Sequence, residues 1–387
     1  MSIKAPFGLV LLSLLLYSCE ENLNNENIER IDISIGTATD GYLTDFFSSI
    51  SIYELSSEEV FIGSITKIHR LEEFIFVLDK DYTNSLYKFD SSGSYIQKIG
   101  VEGEGPTEYQ DINDFTVVNN NGTIELWILD NSKGYFSILK YDAQGNFLAK
   151  IRSTLFADSF EFVEPKYLVF STSNQCNDNF CSNTYTTDLD LNILSKGYES
   201  QPPYKELWIE PSNPISVVNN ETAIVSYGDF NIYSLDSAAT IFPLIKVNLV
   251  DRKTSKDLNE RHIYPDSYYQ SLIEMGLCYD LDNVFLFKEH LFFSLTCGNQ
   301  NYFCFASNQE ISIVKGLKLN DKVKLNSINI VGRDNESIYC YFDPEAILSF
   351  LESSEPYNEG ILLDKFSLIS RESLTNSNPP IIRLKLK

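Results

Sequence analysis

The sequence predicts an all-β fold, a six-bladed β-propeller whose two chain ends share one blade, with one short helical excursion. Three observations carry this expectation. First, a unit of roughly 50 residues occurs twice in succession, Ile65 to Gly100 and Ile112 to Arg152. Leu78-Asp79 returns as Leu129-Asp130 and Phe89-Asp90 as Tyr141-Asp142, at offsets of 51 and then 52 residues, and a fixed period of this size marks a repeat architecture. Second, each copy consists of short apolar, β-prone runs split by Asp, Ser, Asn and Gly, the pattern of a propeller blade and not of a helical solenoid. Third, aromatic residues make up 13% of the chain, with 26 Phe and 23 Tyr, and flat rings suit the space between stacked sheets.

The elements follow in order. Residues 1–18 read as a secretory signal, with Lys4 ahead of an apolar run from Phe7 to Leu16; this run is too short for a resident membrane helix, which needs about 20 residues. The run ends in Leu16-Tyr17-Ser18-Cys19, which resembles a bacterial lipobox. That resemblance implies cleavage before Cys19, lipid on its thiol and membrane attachment through acyl chains. Residues 19–29, acidic and Asn-rich, read as a flexible tether. Residues 30–387 form the propeller domain.

Within that domain, Ile31 to Ile35 and Ile50 to Leu55 are short β-prone runs, followed by the two clear blades. A third, degenerate copy runs from Phe160 through Tyr185 to Asn192, and a fourth from Ile215 to Leu249. Asp251 to Gly276 loses the alternation and is helix-compatible. A fifth unit spans Asn283 to Ala306, a sixth starts near Ile328, and Pro379 to Leu386 supplies a last strand. Six units fit the length, although counting alone leaves room for seven. Pairing Ile50–Leu55 with Ile381–Leu386 would close the ring and remove its exposed edges.

The segment Gly103-Glu-Gly-Pro-Thr-Glu-Tyr109, between Tyr87-Lys-Phe-Asp-Ser-Ser-Gly93 and Ile112-Asn-Asp-Phe115, resembles the Gly-x-Gly-Pro-x-Glu-Tyr signature of Bacteroidetes six-bladed β-propeller lipoproteins, relatives of NHL-repeat propellers. Asn231-Ile-Tyr-Ser-Leu235 and the Asn378-Pro-Pro-Ile-Ile382 run are similar to that family as well. The resemblance implies a propeller lipid-anchored at the outer membrane, on its periplasmic face or at the cell surface. It implies no chemistry.

A net charge of −24 argues against nucleic acid as a partner, since phosphates would be repelled. In an exported chain disulfides form. Cys176 and Cys181 flank one turn-like segment and Cys297 and Cys304 another, so those two pairings are expected; Cys278 and Cys340 either pair with each other or stay as buried thiols.

The signature loop is the leading site candidate: Gly103, Glu104, Gly105, Pro106, Glu108 and Tyr109. Its glycines allow positive φ, and five carboxylates (Glu102, Glu104, Glu108, Asp111, Asp114) crowd into thirteen positions. The plainer reading is a tight crossing in which Glu108 binds loop amides. Asp79, Asp81 and Asp90 resemble a calcium loop, but the position that needs glycine is Asn84; no cofactor is expected, with Ca²⁺ the weaker alternative. Trp208 lies between units, where burial is the plainer reading and stacking on a sugar or peptide the alternative. His69, His262 and His290 read as structural histidines. No serine-nucleophile elbow, phosphate loop or dinucleotide fingerprint occurs.

These features predict a non-catalytic binding module for a carbohydrate or peptide ligand or an outer-membrane protein partner, in nutrient or glycan uptake. The alternative is an enzyme, either a glycan lyase or hydrolase or a metal-dependent lactonase-like hydrolase. The lining of the central channel separates the two. Convergent carboxylates with a histidine or a cation favour the enzyme, whereas aromatic and neutral polar groups favour binding.

Overall fold

The computed structural model describes residues 28–387 apart from 57, 72, 121, 133–134, 174–179, 198–210, 258–264, 288–289, 308–309, 320, 326–327, 343–346, 350–351 and 353–377. Cys19, Cys176, Trp208 and His262 lie outside the described residues, as do the signal segment and nearly all of the tether.

The chain opens with β1 (Glu29–Ile33), β2 (Thr39–Tyr42) and β3 (Phe47–Tyr53), all of which join blades formed much later. Blade 1 comprises β4 (Lys67–Leu71), β5 (Phe74–Asp79), β6 (Ser85–Asp90) and β7 (Tyr95–Ile99). Blade 2 is β8 (Ile112–Asn120), β9 (Thr123–Ser132), β10 (Tyr135–Asp142) and β11 (Phe147–Arg152). Blade 3 is β12 (Ser159–Val163), β13 (Tyr167–Ser171), β14 (Thr184–Thr187) and β15 (Ile193–Lys196). Blade 4 is β16 (Ile215–Val218), β17 (Glu221–Ile224), β18 (Asn231–Leu235) and β19 (Ile241–Leu249), with β1 added parallel to β19. Blade 5 is β20 (Cys278–Phe287), β21 (His290–Cys297), β22 (Gln300–Ser307) and β23 (Glu310–Lys318), on which β2 and the two-residue β24 (Lys324–Leu325) also pair. Blade 6 begins with β25 (Asn329–Arg333) and β26 (Ser337–Tyr341), continues with β27 (Ile381–Leu386) and ends with β3.

The expected closure is present: β27 and β3 run antiparallel, with Ile381 opposite Tyr53 and Leu384 opposite Ile50. The expected excursion carries a helix, Pro265–Glu274; shorter helical turns lie at Ile35–Thr37, Leu43–Phe46 and Ser255–Asp257. The expected run at Ile31 forms part of β1, but its pairing with blade 4, together with strands β2 and β23, goes beyond what the sequence pattern revealed.

The strands bury both faces because each blade stacks on two others. In blade 1, Ile75, Val77 and Phe89 pack against Val331, Tyr339 and Ile381 of blade 6. The alternate positions Phe76, Leu78 and Leu86 pack against Phe115, Leu126 and Tyr141 of blade 2. Comparable cores fill the spaces between blades 2 and 3, 3 and 4, 4 and 5, and 5 and 6.

The repeated aspartates are structural. Asp90, Asp142, Asp188 and Asp236 each end the third strand of a blade or follow it directly, and each carboxylate accepts backbone N–H groups two and four residues on, the geometry of an Asx turn. The turn needs a left-handed residue, supplied by Gly93, Gly145, Leu191 and Ala239 with φ of 90°, 80°, 66° and 62°. Asp79 and Asp130, the matched pair of the sequence repeat, instead grip the loops leading into their own blades: Asp79 accepts from the Gly63 N–H at 2.8 Å, and Asp130 from those of Gln110 and Asp111 at 2.8 and 3.0 Å.

The cysteine pairing differs in part from expectation. Cys297 is bonded to Cys278, not to Cys304. The register explains this, because Cys278 and Cys297 face each other across β20 and β21, whereas Cys304 lies opposite Phe293 on β22. Cys304 and Cys340 are buried thiols. Cys181 is disulfide-bonded.

Candidate functional site

The innermost strands of blades 1, 2, 3, 4 and 6 converge on a cavity of about 160 Å³ at the centre of the ring. Lys67 and His69 reach it from β4, Asp114 from β8, Glu161 from β12 and Arg333 from β25, while Asn213 arrives on the loop before β16. Alternation aims these side chains inward, since Lys67 and His69 are two residues apart on one face of β4. The ring narrows here. A β-carbon on Gly332 would strike the Ile68 carbonyl, so only glycine lets β25 approach β4 this closely.

Lys67 is the hub. Its Nζ lies 2.8 and 3.0 Å from the two Asp114 oxygens, 3.0 Å from Glu161 Oε1 and 3.4 Å from the Phe160 carbonyl. Asp114 also accepts the Phe115 and Phe160 N–H groups, both at 2.8 Å. Glu161 Oε2 accepts the Thr116 hydroxyl at 2.7 Å, while Arg333 and His69 each stand 3.6 Å from Oε1. Arg333 donates to the Ile215 carbonyl at 2.6 Å and lies over the Phe285 ring. The His69 ring meets Phe115 edge-on, and its Nε2 is buried with no hydrogen-bond partner.

This setting moves the acids in opposite directions. Burial pushes Asp114 above its ordinary value against the pull of Lys67. Glu161 would also rise on burial, but Lys67, His69 and Arg333 together hold it well below the usual carboxylate range. Burial lowers Lys67, and the two carboxylates outweigh that and leave it raised. Across the whole lining, Lys67, Lys80 and Arg333 balance Asp114, Asp158 and Glu161.

The signature loop does not line this cavity. It crosses from blade 1 to blade 2, with Gly103 N–H donating to the Tyr109 carbonyl, Tyr109 N–H to that of Val101, and Tyr109 itself fully buried. Glu108 Oε2 accepts the Gly105 N–H at 2.7 Å, as the plainer reading expects. The reason for glycine is different from the one anticipated. Gly103 and Gly105 are not among the positive-φ residues; instead, a β-carbon at either would run into the Glu108 carboxylate. The five crowded acids therefore separate: Asp114 enters the channel, Glu108 holds the loop, and Glu102, Glu104 and Asp111 are exposed. Pro106 is exposed at the loop tip.

Asp79, Asp81 and Asp90 do not come together either. Asp79 binds the Gly63 and Tyr82 amides, Asp81 accepts the Ser64 hydroxyl at 3.4 Å, and Asp90 forms its Asx turn. Among the described residues, no three His, Cys, Asp or Glu side chains converge as a metal site.

Lys67, Glu161 and Arg333 escaped the sequence reading, and His69 entered it only as a structural residue. A signal was available: Lys67 and Asp114 are 47 residues apart, Asp114 and Glu161 repeat that spacing, and Glu161 is a charge set between Phe160 and Phe162.

Comparisons with known proteins agree with the fold. A Bacteroides fragilis NCTC 9343 protein assigned as exported superposes with a TM-score of 0.73 at 18% identity, covering 93% of this chain and 99% of its own. Virginiamycin B lyase from Staphylococcus aureus aligns at a TM-score of 0.43 and 9% identity over 88% of this chain and 99% of its own, a likeness too low to bear on function. No curated protein sequence matches. The domain of unknown function DUF4934 matches residues 28–385, and the chain belongs to that family.

Proposed function

We propose that this protein is an exported, lipid-anchored propeller of the outer membrane, held through Cys19, whose central cavity binds a small polar ligand of no net charge, such as a sugar or a peptide end, without transforming it. The lipobox-like Leu16-Tyr17-Ser18-Cys19 and the signature loop support the location. The hydrogen bonding of the channel acids supports the binding reading. Each oxygen of Asp114 takes two donors, Glu161 is held by Lys67 and Thr116, and Lys67 has spent its protons on both acids and the Phe160 carbonyl. A catalytic acid or base must reach the substrate, and these acids direct their oxygens at protein donors instead. His69 Nε2 is left to meet a ligand hydroxyl or amide, and balanced charges favour a neutral or zwitterionic molecule over an ion.

Calorimetric titration with mono- and oligosaccharides and short peptides tests this. Binding to the wild type that is lost in His69→Leu, which leaves the Lys67 network in place, is the expected result. Equal binding by both proteins, or none by the wild type, overturns it.

By composition the lining, carboxylates with a histidine and cations, matches the expectation set for an enzyme. The opposite shifts of Asp114 and Glu161 are the feature that favours it, because paired acids driven apart can divide acid and base roles. Turnover of chromogenic glycosides or lactones that disappears in Glu161→Gln would establish that reading.

A further inference from the structure

A second constellation lies away from the channel cavity, where the helix Pro265–Glu274 leads into β20. Four tyrosine rings meet there in a closed circuit. Tyr227 and Tyr268 have centroids 6.4 Å apart, Tyr268 and Tyr269 5.8 Å, Tyr269 and Tyr279 6.2 Å, and Tyr279 and Tyr227 6.1 Å. Tyr268 is wholly buried and forms the floor, while Tyr269 is 44% exposed and forms the outer wall. Asp280 follows Tyr279 on β20, and its Oδ1 is buried without a hydrogen-bond partner. Its neighbour Asp282 differs, accepting the Ser212, Asn213 and Asn283 N–H groups at 2.9, 3.0 and 2.6 Å. Among the described residues no Lys, Arg or His forms an ion pair with Asp280.

We propose that Tyr227, Tyr268, Tyr269, Tyr279 and Asp280 form a binding site for an alkylammonium group that carries N–H, the chemistry of a lysine side chain or a small amine. The electron-rich faces of tyrosine attract a cation, the more so when it is desolvated. The unpartnered Oδ1 requires a donor, and an ammonium N–H supplies it as a charge-assisted hydrogen bond. A divalent metal is the poorer fit, because it demands several oxygen ligands and the site offers one unpartnered carboxylate oxygen. The partly exposed Tyr269 provides the way in, and the site is independent of the channel reading.

The test is calorimetric titration of the intact protein with methylammonium chloride, against potassium chloride at equal ionic strength and against tetramethylammonium chloride. Saturable binding of methylammonium, with potassium and tetramethylammonium binding more weakly, is the expected result. Asp280→Asn keeps the side-chain shape and should weaken binding by about tenfold or more, as expected for one lost charge-assisted contact. Tyr269→Ala, at an exposed position, should also weaken binding while leaving the melting temperature near that of the wild type. Absence of saturable methylammonium binding, or equal affinity in Asp280→Asn with native circular dichroism, overturns the proposal. Equal affinity for tetramethylammonium overturns the assigned N–H contact to Oδ1.

Discussion

The channel acids Asp114 and Glu161 and the acid Asp280 on β20 are all carboxylates withdrawn from bulk water on inner strands, yet they live under opposite conditions. The channel pair is surrounded by a lysine, an arginine and backbone amides, whereas Asp280 interacts electrostatically with Tyr227, Tyr269, Tyr279 and another acid, Asp282. Burial alone therefore does not fix what a carboxylate contributes. The number of donors aimed at it decides whether it locks the ring or strains it.

The largest expected effect removes the hub. Lys67→Met leaves Asp114 and Glu161 without their shared cation and should cost about 3 to 5 kcal/mol in urea unfolding. The triple variant Lys67→Met, Asp114→Asn, Glu161→Gln, which carries no orphaned charge, should recover part of that loss. A single variant as stable as the wild type would erase the contrast between the two regions.

Asp280 gives the opposite result. With no amine present, Asp280→Asn should raise stability at neutral pH by about 1 to 2 kcal/mol, because it removes a carboxyl whose ionisation the fold disfavours without removing a partner. The sign follows from linkage. Burial, reinforced by Asp282, raises Asp280 well above its ordinary value, so the folded state holds this proton more tightly than the unfolded state. Stability in the wild type then falls as pH rises from the unfolded-state value of about 3.9 up to the folded-state value. Thermal melts of wild type and Asp280→Asn should coincide near the acid end of that range and diverge above it. In the channel, Glu161 loses its stabilising contribution as pH falls below its unfolded-state value, whereas the contribution of Asp114 is lost as pH rises above its own, so the two act in adjacent pH ranges.

A third carboxylate, Glu108, sharpens the comparison at smaller scale. Gly103→Ala should cost about 1 kcal/mol by displacing the Glu108 head group, and in a Glu108→Ala background that cost should nearly vanish, a coupling a double-mutant cycle reads directly. Glu104→Gln, at an exposed position, should change the melting temperature very little.

What was legible in the chain follows from the same physics. Blades 1 and 2 announce themselves because turns fix residue types locally: the Asx turn demands Asp90 and Asp142 with Gly93 and Gly145 at set spacing. Blades 3 and 4 satisfy the same turn with Leu191 and Ala239 in the left-handed position, which blurs the repeat without changing the geometry. The channel site was hardest to see. Lys67, Glu161 and Arg333 come from three blades, and their meeting depends on closure of the ring. Asp81 and Asp90 misled for the converse reason, since neighbours in sequence here point to separate backbone amides and hydroxyls. Cys297 found its partner across a strand pair and not around the nearest turn, because register outweighs proximity along the chain.

The three N-terminal strands have a consequence for the order of assembly. Strand β1 pairs with Ile245–Leu249, β2 with residues of Val314–Lys318 and β3 with Ile381–Leu386, so their partners leave the ribosome in the order in which the strands themselves were made. These strands, made before their partners, wait unpaired and then find their places one after another as blades 4, 5 and 6 appear. Blades 1 to 3 can form as local units during synthesis, but the ring gains its last pairing only when residue 386 is free. Completion of the fold thus waits on β27.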